Sequence, residues 1–114
     1  MQYLHFVMRV EGNNEIDMKV SYLCRGDIIT FEVDEISYEV KTAGIEEFKR
    51  NTGTEEFVLR GDSTSTVLLK DFGKTFYIPV LYYNYEHDDK KISFVYELAS
   101  DEGIRKEIII TFGN

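Results

Sequence analysis

The chain has 114 residues, with 13 Lys and Arg against 21 Asp and Glu, and a formal net charge of −8. This length corresponds to one domain, residues 1–114, with a single core. The negative charge repels phosphate backbones, so nucleic acid is not an expected partner. No signal peptide precedes the first strand pattern, and no apolar run approaches the ~20 residues of a membrane span. We therefore expect a cytoplasmic protein with no membrane partner.

Alternating apolar and polar residues predict a hairpin at the start of the chain. Residues 2–10 place Leu4 and Phe6 on one face of a half-buried strand, and residues 16–25 repeat the period of two. The turn between them is rich in Gly and Asn, which tolerate positive φ. The only cysteine, Cys24, lies in the apolar pattern of the second strand, where we expect a buried and unreactive thiol.

The middle of the chain continues with short strands and one ambiguous segment. Strands over residues 28–33 and 36–41 flank Asp34-Glu35, which we interpret as a tight turn rather than a bulge. In residues 44–53, Ile45 and Phe48 are three apart, as in a short helix, but the same segment is also a weak strand. We favour the strand because a helix of one or two turns has little intrinsic stability.

The late part of the chain contains its densest aromatic stretch, Phe76 to Leu98, which Asp88-Asp89 divides into a predicted hairpin. With strands over 57–60, 63–70 and 104–112, the count reaches about nine or ten short strands joined by hairpin links. We therefore predict an all-β fold, an antiparallel up-and-down barrel of about 8–10 strands, because closure protects sheet edges. A two-sheet sandwich is the second choice.

No motif for catalysis, metal binding or a cofactor is present in the sequence. His87 lies beside two turn carboxylates, but a metal site needs three or four converging ligands. The two Arg-Gly-Asp triplets, at 25–27 and 60–62, have the form of strand ends followed by turns. We expect no enzyme, no metal and no cofactor. The enzyme alternative requires Glu32, Arg60 and His5 to converge in a cleft.

Tyrosine is the residue type that points to binding, since its ring offers contact area and its hydroxyl a polar handle. For a small molecule or peptide in the interior or mouth of the barrel we predict a ligand-binding set of five residues: Glu32, Tyr38, Arg60, Tyr82 and Tyr96. The alternative is a protein-interaction surface on the Phe76–Leu98 hairpin, formed by Pro79, Tyr83 and Tyr85. The consecutive Tyr82 and Tyr83 must point to opposite faces of the strand. We expect the protein to be a monomer or a homodimer.

Most of the chain resembles the YwiB-like proteins, a bacterial family of small calycin-like barrels of unknown function. The resemblance is carried by the early hairpin, by F-V-L-R-G-D at 57–62, by K-I-S-F-V-Y-E-L at 91–98 and by E-I-I-I-T-F at 107–112. The region between Arg60 and Tyr83 is shorter than is typical of the family. The resemblance implies a lipocalin-type fold in a cytoplasmic protein, and it supplies no catalytic residues.

Overall fold

The computed structural model describes residues 2–113 and is all-β, with one short 3-10 helix at Ala99–Asp101. In chain order the strands are β1 (Tyr3–Val10), β2 (Asn13–Ser21), β3 (Leu23–Arg25), β4 (Ile28–Val33), β5 (Ile36–Lys41), β6 (Glu47–Asn51), β7 (Glu55–Arg60), β8 (Thr64–Leu69), β9 (Lys74–Tyr77), β10 (Val80–His87), β11 (Lys91–Leu98) and β12 (Lys106–Phe112). They form two antiparallel sheets, each belonging to its own compact unit.

The first unit combines the chain up to Ser21 with the chain from Val80 onward, and its sheet has the order β10-β11-β12-β1-β2. In the ladder Phe6 lies opposite Ile110, which lies opposite Ile92. All three lie on one face, because paired residues share a face of the sheet, and all three are fully buried. This apolar face is the core of the unit.

The second unit, Tyr22–Pro79, is a meander of seven strands in sequence order from β3 to β9. Its core row runs through Ile29, Val40, Phe48 and Leu59, which lie opposite one another on successive strands. Each is buried. The branched and aromatic residues of this row suit a pleated surface, which explains why the segment folds as a sheet.

Two local predictions are confirmed by the structure. The ambiguous segment contains a strand, β6, rather than a helix. Asp34 and Glu35 form a tight turn, with positive φ of 49° and 67° at the two central positions. Two consecutive residues of positive φ are the signature of the hairpin turn whose twist matches that of the flanking strands.

Three predictions need correction. The strand expected over 16–25 is divided at Tyr22, so β2 and β3 belong to different sheets, and Cys24 on β3 is exposed rather than buried. The late hairpin begins at Val80 and not at Phe76, which lies on β9 of the other sheet. Pro79 separates the two strands, and proline has no N–H to continue a ladder.

Of the predicted barrel, the antiparallel strands are confirmed and the closure is not. Within residues 2–113 the strands form two separate antiparallel ladders and no closed one. The sandwich, the second choice, also consists of two sheets. None of the helices that the structure describes is long and apolar enough to cross a membrane.

Candidate functional site

Arg50 is a charged residue on the apolar face of the seven-stranded sheet. It lies on β6, directly opposite Tyr38 of β5 on one side and Phe57 of β7 on the other. On its own strand it lies two residues after Phe48, which is fully buried. Paired residues and residues two apart share a face, so the Arg50 side chain lies on the same face as these three rings.

Within residues 2–113 the guanidinium of Arg50 has no ion-pair partner. Its Nε is buried and has no hydrogen-bond partner in that range, and no carboxylate of that range forms an ion pair with it. Glu55, two residues before Phe57 on β7, is on the same face and also forms no ion pair with Arg50. Because a guanidinium stays charged at physiological pH, a half-buried cation without a partner is energetically unfavourable.

Three rings on this face form a buried aromatic cluster. Tyr38 stacks on Phe31 with ring centroids 5.2 Å apart, and it contacts Phe48 in a tilted arrangement at 5.9 Å. Only 1% of Tyr38 is exposed. These three rings are therefore part of the core, whereas Arg50 and the ring of Phe57 opposite it are half-buried.

The structure does not bring the predicted residues of this unit together. Tyr38 lies on the aromatic face, whereas Arg60 lies on the opposite face, where its Nε donates to Oε2 of Glu47 at 2.9 Å. Glu32 is exposed and lies opposite Ser37, and Arg60 pairs with Glu47 instead. The two residues of the predicted set are therefore apart. The reason is the period of two: Arg60 is the partner of Glu47, whose neighbour Phe48 turns inward.

In the five-stranded sheet, Tyr82 and Tyr83 lie on opposite faces. The prediction grouped Tyr82 with Tyr96, but it is Tyr83 that shares a face with Tyr96. Tyr83 lies opposite the buried Tyr96, and Tyr82 lies opposite Glu97 on the other face. A β-bulge before Tyr82 fixes this register. The Arg105 guanidinium lies 3.9 Å from the centroid of the Tyr82 ring, which is 40% exposed. Tyr82 therefore does not share a face with Tyr96.

The predicted interaction surface is also displaced. Tyr85 packs against Phe94 with centroids 5.0 Å apart, and both it and Tyr83 are half-buried, while Pro79 is exposed. The two most exposed rings among residues 2–113 lie earlier, at the edge strand β9 and the turn before it: Tyr77 and Phe72, each 80% exposed. Phe76, also on β9, is 42% exposed. Burial by the β10–β11 register explains why the tyrosines of β10 are less available.

An open groove lies on the first unit. It has a volume of about 540 Å³ and is lined by Leu4, His5, Asp17, Lys19, Thr111, Phe112 and Gly113. Asp17 accepts a hydrogen bond at each oxygen, from Nε2 of His5 and, at 3.0 Å, from Nδ2 of Asn14. The bond from His5 ties β1 to β2, and the bond from Asn14 lies within β2. Among residues 2–113 no group of three or more His, Cys, Asp or Glu is placed to hold a metal ion.

The turn between β10 and β11 has a structural explanation. The Asp88 carboxylate accepts the backbone N–H groups of Lys90 and Lys91, at 2.8 and 3.0 Å. The bond from Lys90 in particular holds the pKa of Asp88 below its ordinary value, because hydrogen bonding favours the charged carboxylate. His87 at the end of β10 and the adjacent carboxylates are exposed.

Arg50 was not among the predicted residues, although the sequence contains a signal for it. Once residues 47–51 are assigned to a strand, alternation from the apolar Phe48 places Arg50 on the core face. The alternation signal is hard to recognise in the sequence, because the two consecutive cations Lys49 and Arg50 resemble a solvated turn or helix surface.

Comparison with known proteins gives one structural likeness. The fold is similar to that of the ywiB protein from Bacillus subtilis, known from its crystal structure, with a TM-score of 0.51 over 99% of this chain and 90% of that chain. The two sequences are 18% identical, so the likeness concerns the fold alone. No protein-family model matches the sequence, and no curated protein matches it either.

Proposed function

We propose that this chain is a cytoplasmic, non-enzymatic binding protein of the YwiB-like, calycin type, which holds a small molecule beside Arg50 of the seven-stranded sheet. The observation that carries the proposal is Arg50, a cation with a buried, unbonded Nε on a face made of aromatic rings. The structural likeness to the ywiB protein supports the architecture.

The unpaired Nε of Arg50 carries a cost in free energy. Leaving a buried donor without an acceptor costs about 1–3 kcal/mol, and more for a charged group. A ligand that accepts a hydrogen bond from Arg50 recovers that free energy on binding. The half-buried ring of Phe57, opposite Arg50 on β7, provides apolar contact area for the remainder of the molecule.

The non-enzymatic part of the proposal is supported by the positions of the polar residues. The enzyme alternative depends on Glu32 and Arg60 acting together. Arg60 instead forms an ion pair with Glu47, and Glu32 is solvated on a separate strand pair. The ligand is therefore expected to leave the protein chemically unchanged.

Native mass spectrometry of the protein purified from its own host tests the binding function. We expect wild-type protein to carry a co-purifying small molecule and Arg50→Met to lose it. Arg60→Met is the matched control, since it removes the same charge from the opposite face, and it is expected to retain the adduct. Wild-type protein without an adduct, or equal adducts in wild type and Arg50→Met, would contradict the proposal.

A second candidate function is assembly into a homodimer through the edge strand β9. The observation that favours it is the exposure of Phe76 and Tyr77 on a strand that pairs on one side only, with β8. Edge strands with exposed apolar side chains are templates for pairing with another chain. This surface replaces the predicted one at Tyr83 and Tyr85.

Size-exclusion chromatography with light scattering tests the assembly candidate. A dimer of wild type that dissociates in Tyr77→Lys supports it, since a charge on the edge strand opposes pairing. Tyr3→Lys is the control, because Tyr3 is also exposed but lies on β1, inside the other sheet. A wild-type monomer at high protein concentration excludes the homodimer.

A further inference from the structure

We propose that two copies of this chain join through an antiparallel pair of their β9 strands, in the register that places Phe76 opposite the partner's Phe76 on the two-fold axis. This inference rests on the homodimer candidate and adds the partner's position on the edge strand. The free backbone groups of β9, the apolar row that ends at Phe76 and the charge around the strand support it.

The backbone of β9 has free hydrogen-bonding groups along one side. The N–H of Ile78, just after the strand, donates to the carbonyl of Ser65 at 3.1 Å. Because hydrogen-bonded and non-hydrogen-bonded pairs alternate along an antiparallel ladder, Phe76 also faces β8, whereas Thr75 and Tyr77 direct their N–H and C=O groups away from it. β9 is the last strand of its sheet, and no other backbone group of residues 2–113 bonds to Thr75 or Tyr77 on that side.

These free groups select the register of the pair. With Thr75 opposite the partner's Tyr77, the same pair forms twice by symmetry, and each exchanges both of its N–H···O bonds within β9. Sliding the partner by two residues in one direction places Tyr77 opposite Gly73, a turn residue with positive φ. Sliding it in the other direction places Thr75 opposite Pro79, which has no N–H to donate. Both alternatives therefore lose hydrogen bonds.

An apolar row leads to the same register. On the apolar face of the seven-stranded sheet, Phe57 of β7, Val67 of β8 and Phe76 of β9 lie opposite one another. The row ends at the edge, where 42% of Phe76 is exposed. In the proposed register Phe76 and the partner's Phe76 form a non-hydrogen-bonded pair, the kind in which side chains are closest. The row then continues into the second copy, and the two rings cover each other.

The charge around β9 suits a second copy of this acidic chain. The net charge of −8 makes two copies repel each other, but residues 75–85 contain no charged side chain. The one charge of the strand is Lys74, whose Nζ lies over the ring of Phe76, 5.3 Å from its centroid. In the proposed register Lys74 lies opposite the partner's Ile78, and the two lysines are about 13 Å apart along the strands. The pairing therefore brings no like charges together.

Disulfide cross-linking at single cysteines tests the register. The background is Cys24→Ser, which removes the exposed thiol of β3. We expect Phe76→Cys to give a cross-linked dimer on oxidation, because directly opposite residues lie within the Cα separation of about 4.4–6.8 Å that a disulfide spans. Thr75→Cys or Tyr77→Cys alone is expected to stay monomeric on non-reducing gels, because each is about 7–8 Å from its own counterpart.

An equal mixture of Thr75→Cys and Tyr77→Cys is a second test that keeps the Phe76 ring. These two positions are opposite in the proposed register, so we expect the mixture to form the cross-linked dimer that neither variant forms alone. The mixture reports the register even where Phe76→Cys weakens the contact. Tyr3→Cys, exposed on β1 of the other sheet, is the control for random collision.

Light scattering of wild type under the same conditions separates the two proposals. A wild-type dimer in which Thr75→Cys or Tyr77→Cys cross-links alone, while Phe76→Cys and the mixture do not, overturns the register and leaves the homodimer standing. Cross-linking of Phe76→Cys and of the mixture at no more than the rate of Tyr3→Cys also overturns the register. A wild-type monomer at high protein concentration overturns the register together with the homodimer on which it rests.

Discussion

Replacing Arg50 by Met is expected to make the ligand-free protein more stable. Met retains an unbranched side chain that packs against Tyr38 and Phe57, and it removes the buried Nε, which has no partner among residues 2–113. An unsatisfied buried donor costs about 1–3 kcal/mol. Since Arg50 is only half-buried, we expect a gain at the low end of this range, about 1 kcal/mol in the free energy of unfolding. For a domain of this size that corresponds to a rise of about 4 °C in Tm.

Urea denaturation followed by circular dichroism and tyrosine fluorescence measures this difference, after bound molecules have been removed by unfolding and refolding. The control, Arg60→Met, loses an ion pair with Glu47 whose Arg side chain is 42% exposed. It is expected to lose less than about 1 kcal/mol, as partly exposed pairs do. The two substitutions should thus have opposite signs. A loss of 1 kcal/mol or more in Arg50→Met would refute the argument, because Arg50 would then be a stabilising part of the fold.

Three further predictions concern the fold and its surface. Phe48→Ala removes a fully buried ring from β6 and is expected to lower the free energy of unfolding by about 3–5 kcal/mol, measured by urea titration; a loss below 1 kcal/mol would contradict its place in the core. A double-mutant cycle of Tyr82→Leu and Arg105→Met should give a coupling of about 0.5–1 kcal/mol, and zero coupling would deny the cation–π contact. The pKa of Asp88, followed by NMR of its carboxyl carbon, should lie below its ordinary value of 3.8. The stabilisation by this carboxylate is present above the unfolded pKa and is lost as the pH falls through the lower folded pKa, so a folded pKa above 3.8 would contradict the turn geometry.

Much of the fold follows from local patterns in the sequence. Alternation places Leu4 and Phe6 in the core, and the Asp34-Glu35 turn is recognisable because its flanking strands have a consistent period. The strand favoured for residues 44–53 is also confirmed, as β6 (Glu47–Asn51). These features depend on neighbouring residues only, which is why a single sequence specifies them.

The errors arise where distant pairing decides the outcome. A continuous apolar pattern over 16–25 does not show that the chain changes sheets at Tyr22, which leaves Cys24 exposed on a three-residue strand. The bulge before Tyr82 reverses the faces of the tyrosine pair, and a shift of one residue moves every side chain to the other face. The register of β6 against β5 and β7 likewise determines that Arg50, not Arg60, lies among the rings.

The most direct test of the binding account is the NMR signal of the Arg50 side chain. In a ¹⁵N-labelled sample the Nε–Hε cross-peak of Arg50, assigned by its absence from Arg50→Met, reports on the one donor that the account assigns to the ligand. We predict that adding back the small molecule that co-purifies with the protein shifts this cross-peak and leaves that of Arg60 in place, since Arg60 is held by Glu47 on the opposite face. An Arg50 cross-peak that does not move when this molecule is added to saturation would contradict the account.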